Sequence, residues 1–359
     1  NSGKLFFITK EYKNNIDQWS VRKTEDIEKC LKVNCLIIND NYDKDQKIEN
    51  DNIPFSFSLL GLDRGKIKGY LQYIVMNRII ETYDRIDYLP SLNKIQDDNI
   101  FNIFTGFPLD GLSYDKINFE ESKFYNHLKI DFFNDDEFEL KHFLDHISDI
   151  IQDPLNIKGI AHLFYSRQGC GKGLLSKFMS NLLGINNIQI ILNIENYFDK
   201  SFNIQNSNKL LKIFEELSEK GSSFKNHNRL KGEITSEIER IEPKGVDAYE
   251  NRAVARYWFY SNNENSLYIE SDDRRFTLHH ISDRHANDLT YFQPIWDEIN
   301  DKNYMINAFI FFATRKYQKI NVLTAYTTNY KIEQKLQNLS SGIKFIIEYI
   351  ESNYTKLID

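Results

Sequence analysis

The chain has 359 residues, long enough for two domains, and its 41% hydrophobic and 27% charged content is ordinary for a globular protein. A formal net charge of −7 excludes a generally basic, nucleic-acid-coating surface, though not a narrow basic channel. No apolar stretch is long enough to span a bilayer and no signal peptide is evident, so a soluble intracellular protein is expected rather than a secreted or membrane one.

The chain begins at Asn1 rather than Met, which marks it as an expected fragment of a longer protein. Strand-like runs at Leu5–Ile8 and Cys35–Ile38 flank a helical piece around Thr24–Leu31, and Asn39–Asn52 reads as a polar loop. Apolar residues at helical spacing (Leu71, Ile74, Val75, Ile79, Ile80, Tyr83) predict a helix over 68–86, with a surface strand pair as the alternative. Tyr88–Phe107 is irregular and strand-like. Glu137–Ile151 predicts an amphipathic helix with Phe138, Leu140, Phe143, Leu144, Ile147, Ile150 and Ile151 on one face, ended by Asp153-Pro154. His142 and His146 sit four apart on it, a spacing that can hold a metal, but no third or fourth ligand stands nearby in the sequence and packing is the default. Cys30, Cys35 and Cys170 form no C-x-x-C pair and are expected as reduced thiols.

The strongest signal follows. An apolar strand-like run (Ile160, Ala161, Leu163, Phe164, Tyr165) enters Ser166-Arg167-Gln168-Gly169-Cys170-Gly171-Lys172-Gly173, and a helix-like run from Leu174 to Leu183 leaves it. Strand, glycine-rich turn, Gly-Lys and helix together predict a P-loop, in which backbone N–H groups from Gln168 to Leu174 and the helix N-terminus cradle phosphates while Lys172 reaches the outer ones. The pattern departs from G-x-x-x-x-G-K-[ST] at both ends: Ser166 replaces the first glycine, and Gly173 replaces the hydroxyl residue that ligates Mg²⁺, with Ser176 a helical turn away.

Further along, Ile188–Ile194 reads as a strand, and Leu210–Phe214 as another that ends in Glu215-Glu216. At the carboxyl edge of a parallel sheet one carboxylate can hold Mg²⁺ and the other orient an attacking water, or the pair simply starts a solvated helix. A turn at Pro243-Lys244-Gly245 precedes the β-rich run Val254–Tyr260, which ends in Asn262-Asn263. An Asn there can bond a γ-phosphate or serve only a turn. Asp272-Asp273-Arg274-Arg275 leads into the strand Phe276–Ile281, its arginines being either surface ion-pair partners or an arginine finger. Helices follow to about Tyr317, then a small helical tail.

The order of P-loop, Glu-Glu strand, basic loop, strand ending in Asn, and Asp-Arg-Arg-Phe resembles the superfamily-three helicases of viruses, phages and plasmids, above all the helicase half of poxvirus-like primase-helicases, over roughly residues 88–318. The resemblance implies an α/β fold: a P-loop, AAA+-like ATPase with a parallel central sheet (131–318), an N-terminal mixed α+β accessory or collar domain (1–130) and a C-terminal helical tail (319–359). It implies ATP and Mg²⁺ as cofactors, Glu215 at the metal, Glu216 at the water, Asn262 as γ-phosphate sensor, and Arg274 or Arg275 as a finger acting in a neighbouring subunit. The segment Leu230–Asn251 maps to a pore hairpin, with Lys244 and then Lys231 as candidate DNA contacts. A hexameric ring around single-stranded DNA, tied to a primase domain elsewhere in the protein and working at a replication site in a host cell, is what the resemblance implies. The alternatives are a non-catalytic nucleotide-binding ring, motivated by Gly173, and a monomeric small-molecule phosphotransferase, suggested by Gly-Lys-Gly.

Overall fold

The computed structural model describes residues 6–13, 16–23, 37–38, 57–58, 83–92, 99–113, 118–157, 159–199, 206–215, 224–242, 248–264, 269–270 and 272–354. The chain divides into two compact units, residues 1–86 with 97–103, and residues 87–96 with 104–359. In the first, β1 (Phe6–Lys13) pairs antiparallel with β2 (Ile16–Lys23), and β3 (Ile37–Ile38) with β4 (Phe57–Ser58). Strands β5 (Arg85–Asp87) and β6 (Ile100–Asn102) form a further two-stranded sheet. The expected helix around Thr24–Leu31 and the loop Asn39–Asn52 lie outside the described residues, as does most of the expected helix 68–86. The described end of that last segment is not helical, since Arg85 and Ile86 already belong to β5.

In the second unit a 3₁₀ turn over Phe119–Glu121 leads into α1 (Lys123–His127), continued by a π-helical turn over Leu128–Phe132, and then α2 (Glu137–Gln152). Asp136 caps α2 by accepting from the amides of Phe138 and Glu139, at 2.9 and 3.0 Å. Then come β7 (Ala161–Tyr165), α3 (Lys172–Leu183), β8 (Ile188–Ile191), α4 (Ile194–Asp199), β9 (Leu211–Phe214) and α5 (Phe224–Thr235). A hairpin, β10 (Ile238–Ile241) with β11 (Tyr249–Arg252), precedes β12 (Arg256–Ser261) and β13 (Phe276–His280). The chain closes with α6 (Leu289–Asn300), α7 (Lys302–Thr314), α8 (Lys319–Leu323), α9 (Asn329–Gln337) and α10 (Ser341–Tyr354).

Five strands form one parallel sheet in the order β13-β7-β12-β9-β8. Parallel strands need cover on both faces, which is why these read as near-continuous apolar runs. On one face Ala161, Leu163, Tyr257, Phe259 and Leu278 pack with Leu230 and Ile234 of α5 and Tyr330 of α9. On the other, Phe143 of α2 meets Phe164 and Trp258, and Ser176 of α3 meets Tyr260.

Two sequence expectations are corrected. The strand expected over Ile188–Ile194 stops at Ile191; Asn193 accepts from the amide of Asn196 and Ile194 starts α4. Phe138, expected on the buried face of α2, is 75% exposed; in that first turn it is the next residue, Glu139, about 100° further round the helix, that reaches the sheet, at His279 of β13. The rest of that face is buried, as is His146 against His162 of β7, and so are Asp145 and Asp149 on the other side, since α7 and α8 also pack on α2.

Candidate functional site

Three adjacent strands, β7, β12 and β9, run in one direction, so whatever follows each of them is delivered to the same edge. After β7 comes the glycine-rich turn, after β9 Glu215, and after β12 Asn262. The turn needs its glycines: Gly169 and Gly171 have φ of 87° and 95°, in the left-handed region that other residues avoid. Neighbours close in on both as well. A Cβ on Gly169 would lie 2.2 Å from Asn287 Oδ1, and one on Gly171 would lie 2.6 Å from His127 Nε2. Alternating backbone of this kind turns successive N–H groups toward one concavity, and α3 starts directly behind it, adding the positive end of its dipole.

Lys172, first residue of α3, lies back across the turn. Its Nζ donates to Ser166 Oγ at 2.6 Å, to the carbonyls of Ser166, Arg167 and Ser261 at 2.9, 3.3 and 3.3 Å, and to Asn262 Oδ1 at 2.8 Å. Ser166, standing where the usual pattern has glycine, therefore supplies a hydroxyl to the lysine. Every acceptor is neutral, and among the described residues no carboxylate pairs with Lys172. Burial lowers its ammonium to about 8. The two residues singled out after separate strands, Lys172 beyond β7 and Asn262 beyond β12, are thus in direct contact.

Glu215 continues β9, its amide bonding to Ile191 O at 2.9 Å, and it is half-buried at the same edge. Glu216 lies outside the described residues. Ser176, weighed as a substitute for the missing hydroxyl, is 2% exposed and donates to Tyr260 OH within the core, so it is turned away from the loop. Gly173 is exposed, Leu174 is buried in the core, and Cys170 is a buried free thiol raised by that burial. Gln168 is exposed on the turn.

Arg274 and Arg275 stand at the other end of the strands. The carbonyl of Arg275 accepts from the amide of Ala161, first residue of β7, 2.9 Å away. At about 3.3 Å per residue, the length of β7 separates that amino edge from the glycine turn, so neither arginine faces the turn of its own chain. Arg274 is exposed and Arg275 half-buried. The hairpin β10–β11 lies where a hairpin was expected, but Lys244, between its two strands in sequence, lies outside the described residues. Lys231 is on α5 and its ammonium is engaged by Glu270 at 2.8 Å, with 11% of the side chain exposed.

Sequence reasoning missed the groups that close over the turn from α1 and α6. His127 is buried, its Nδ1 on Asp131 Oδ2 at 2.9 Å, while its Nε2 has no hydrogen-bond partner among the described residues and faces Gly171. Tyr291 donates to the same Asp131 oxygen at 2.6 Å, and Arg284 Nε lies 3.3 Å from the other. Burial pushes the Asp131 carboxyl up, but the bonds from His127 and Tyr291 outweigh it and leave the group below its ordinary value. The His127–Asp131 spacing of four was a readable pair; its place beside the turn was not.

Residues 164–275, less than half of the chain, match a domain family of unknown function, DUF5906. No curated protein matches the sequence. Among solved structures, an apo form of the NrS-1 C-terminal region superposes with a TM-score of 0.62 at 23% identity, covering 76% of this chain and 67% of that one. A second apo structure of that region gives 0.62 at 19% identity, covering 93% and 73%. At these identities the likeness is one of fold.

Proposed function

We propose that this chain is a P-loop nucleoside triphosphatase of the AAA+-like, superfamily-three type, acting as a ring-forming, ATP-driven DNA helicase in viral, phage or plasmid replication. The observation that carries the reading is the meeting of Lys172, Ser166 and Asn262 at the carboxyl edge of β7 and β12, with Glu215 at the end of the neighbouring strand. The fold likeness to the NrS-1 C-terminal region supports it.

In this reading residues 131–318 are the motor, 319–359 a helical tail and 1–130 an accessory part. Amides from Gln168 to Leu174 and the Lys172 ammonium hold the triphosphate, exchanging five neutral acceptors for anionic oxygen. Asn262, already on Lys172, bonds the γ-phosphate or the attacking water. With Gly173 offering no hydroxyl and Ser176 in the core, Mg²⁺ would rest on Glu215, phosphate oxygens and water, a ligand set that suits that ion. Glu216 would orient the water. Because Arg274 and Arg275 lie at the amino edge, either can serve only a neighbour's site, which is the geometric argument for a ring. Lys244 at the hairpin turn would contact DNA backbone, a sequence-independent contact; the Lys231 ammonium is engaged by Glu270 and is the weaker candidate.

The test is ATP hydrolysis by the purified chain across protein concentration, with and without single-stranded DNA. Turnover per chain that rises as rings assemble, and again with DNA, is the expected result. Concentration-independent turnover overturns the ring and favours a monomeric phosphotransferase. Nucleotide binding without turnover favours a non-catalytic ring, the second reading that the missing hydroxyl motivates.

A further inference from the structure

Apart from the carboxyl edge, one cluster of chemically capable side chains stands out. His142 and His146 occupy successive turns of α2, and the sheet brings His162 of β7 against them. All three are buried, and one ring nitrogen from each falls within 4.8 Å of the others. Ring centroids are 4.5 Å apart for His142 and His146 and 4.7 Å for His146 and His162.

We propose that these three imidazoles form a binding site for a single divalent transition-metal ion, Zn²⁺ in the first instance, which pins α2 to the strand that enters the glycine turn. Three nitrogens fit this ion's preference for tetrahedral N and S coordination, the fourth position being left to water. Zn–N bonds of about 2.0–2.1 Å in a tetrahedron separate ligand nitrogens by about 3.3 Å, so small rotations of the rings close the set.

The surroundings are those of a ligand set. His142 Nε2 lies 2.9 Å from the carbonyl of Thr324, and His162 Nδ1 lies 2.9 Å from His279 Nε2, so each of these rings is held through one nitrogen. The Nε2 of His162 has no hydrogen-bond partner among the described residues. His279 in turn bonds Glu139 through Nδ1. A carboxylate relayed through a histidine fixes ring orientation and sets a negative charge behind a cation. Metal would enter past the loop carrying Thr324, which is exposed, and Tyr326, which is half-buried.

This inference is independent of the nucleotide site and is tested without activity. The intact chain, purified without chelator from zinc-supplemented cells, should carry about one Zn²⁺ per chain. Stripped with chelator and titrated with Co²⁺, it should develop the intense visible bands of tetrahedral cobalt, which Zn²⁺ abolishes. His142→Gln and His146→Gln should each lose metal and bands, whereas Cys30→Ser with Cys35→Ser should keep both. Should a variant fail to fold, imidazole ¹⁵N spectra of the wild-type chain still decide: Zn²⁺ should shift the nitrogens of His142, His146 and His162 together. Wild-type protein with negligible zinc and no cobalt bands, bands that survive His146→Gln, or zinc that leaves those three rings unmoved would each overturn the proposal.

Discussion

At the amino edge of the central sheet, Arg256 is 6% exposed and is held through both of its terminal nitrogens. Its guanidinium donates to Asp149 Oδ2 at 2.9 Å and to the carbonyls of Asp153, Pro154, Val254 and Asn156 at 2.6–3.0 Å. At the carboxyl edge Lys172 also makes several bonds, yet among the described residues none to an anion, and burial has lowered it to about 8. Both are cations withdrawn from water on the same few strands. One is neutralised by its own chain and joins the end of α2 to β12; the other keeps an uncompensated charge at a helix start, which is the electrostatic condition for binding an anion. Solvation and pairing, rather than residue type, separate these two cations.

Substituting each in turn breaks the comparison most directly. Lys172→Ala should lower ATP turnover by about 10²–10³-fold, the scale on which one preorganised charge-stabilising donor acts, with the unfolding midpoint little changed. Steady-state hydrolysis beside a denaturant melt is the check, and turnover within a few-fold of wild type would remove Lys172 from the site. Arg256→Ala should do the reverse. Leaving Asp149 buried without its partner should cost about 3–5 kcal/mol of stability, read as a drop in the urea midpoint. Tyr317 OH also reaches Asp149, at 3.1 Å from its other oxygen, but brings no charge to replace the guanidinium.

How much of this was legible beforehand differs between the two edges. The carboxyl edge was readable because strand, glycine turn and Gly-Lys are local, and because the neighbouring strands are each followed by a polar residue, Glu215 and Asn262. The contact of Lys172 with Asn262 then follows from strand order alone. Arg256 was read only as part of a strand, since its partner Asp149 is 107 positions away and helix periodicity assigns a buried face to α2 without saying that its other face is covered too. The histidine pair on α2 was visible and its third member was not, because His162 joins it only through the packing of α2 on β7. Long-range packing is the missing information in both cases.

A smaller effect sharpens the contrast through pH. A bound polyphosphate favours the charged form of Lys172, so the complex binds more protons than the free chain above about pH 8, and affinity must fall as pH rises. With a free-chain value of about 8, the protonated fraction falls about tenfold between pH 7 and pH 9, and ADP affinity should fall by about that factor, since the phosphates are already ionised across the range. Calorimetry in two buffers of different ionisation enthalpy should register proton uptake on binding. Lys172→Arg, whose charge does not titrate there, should flatten the profile. An affinity independent of pH in the wild-type chain would mean that Lys172 does not meet the phosphates.

The smallest expected effect lies on α2, where the same helix offers an internal control. Phe143 touches the sheet at Phe164 and Trp258, with centroids 5.5 and 5.1 Å away, and is fully buried; Phe138, five positions earlier, is mostly exposed. Sequence periodicity put both on one apolar face, so a pattern-based argument expects similar costs for removing either ring. Burial predicts otherwise: Phe138→Ser should change stability by no more than about 0.5 kcal/mol, because a surface ring gives up little apolar area. Phe143→Ala, which opens a cavity between α2 and the sheet, should cost about 3–5 kcal/mol. Comparable losses in the two variants would mean that Phe138 is covered in solution, and that the first turn of α2 meets a surface other than the sheet.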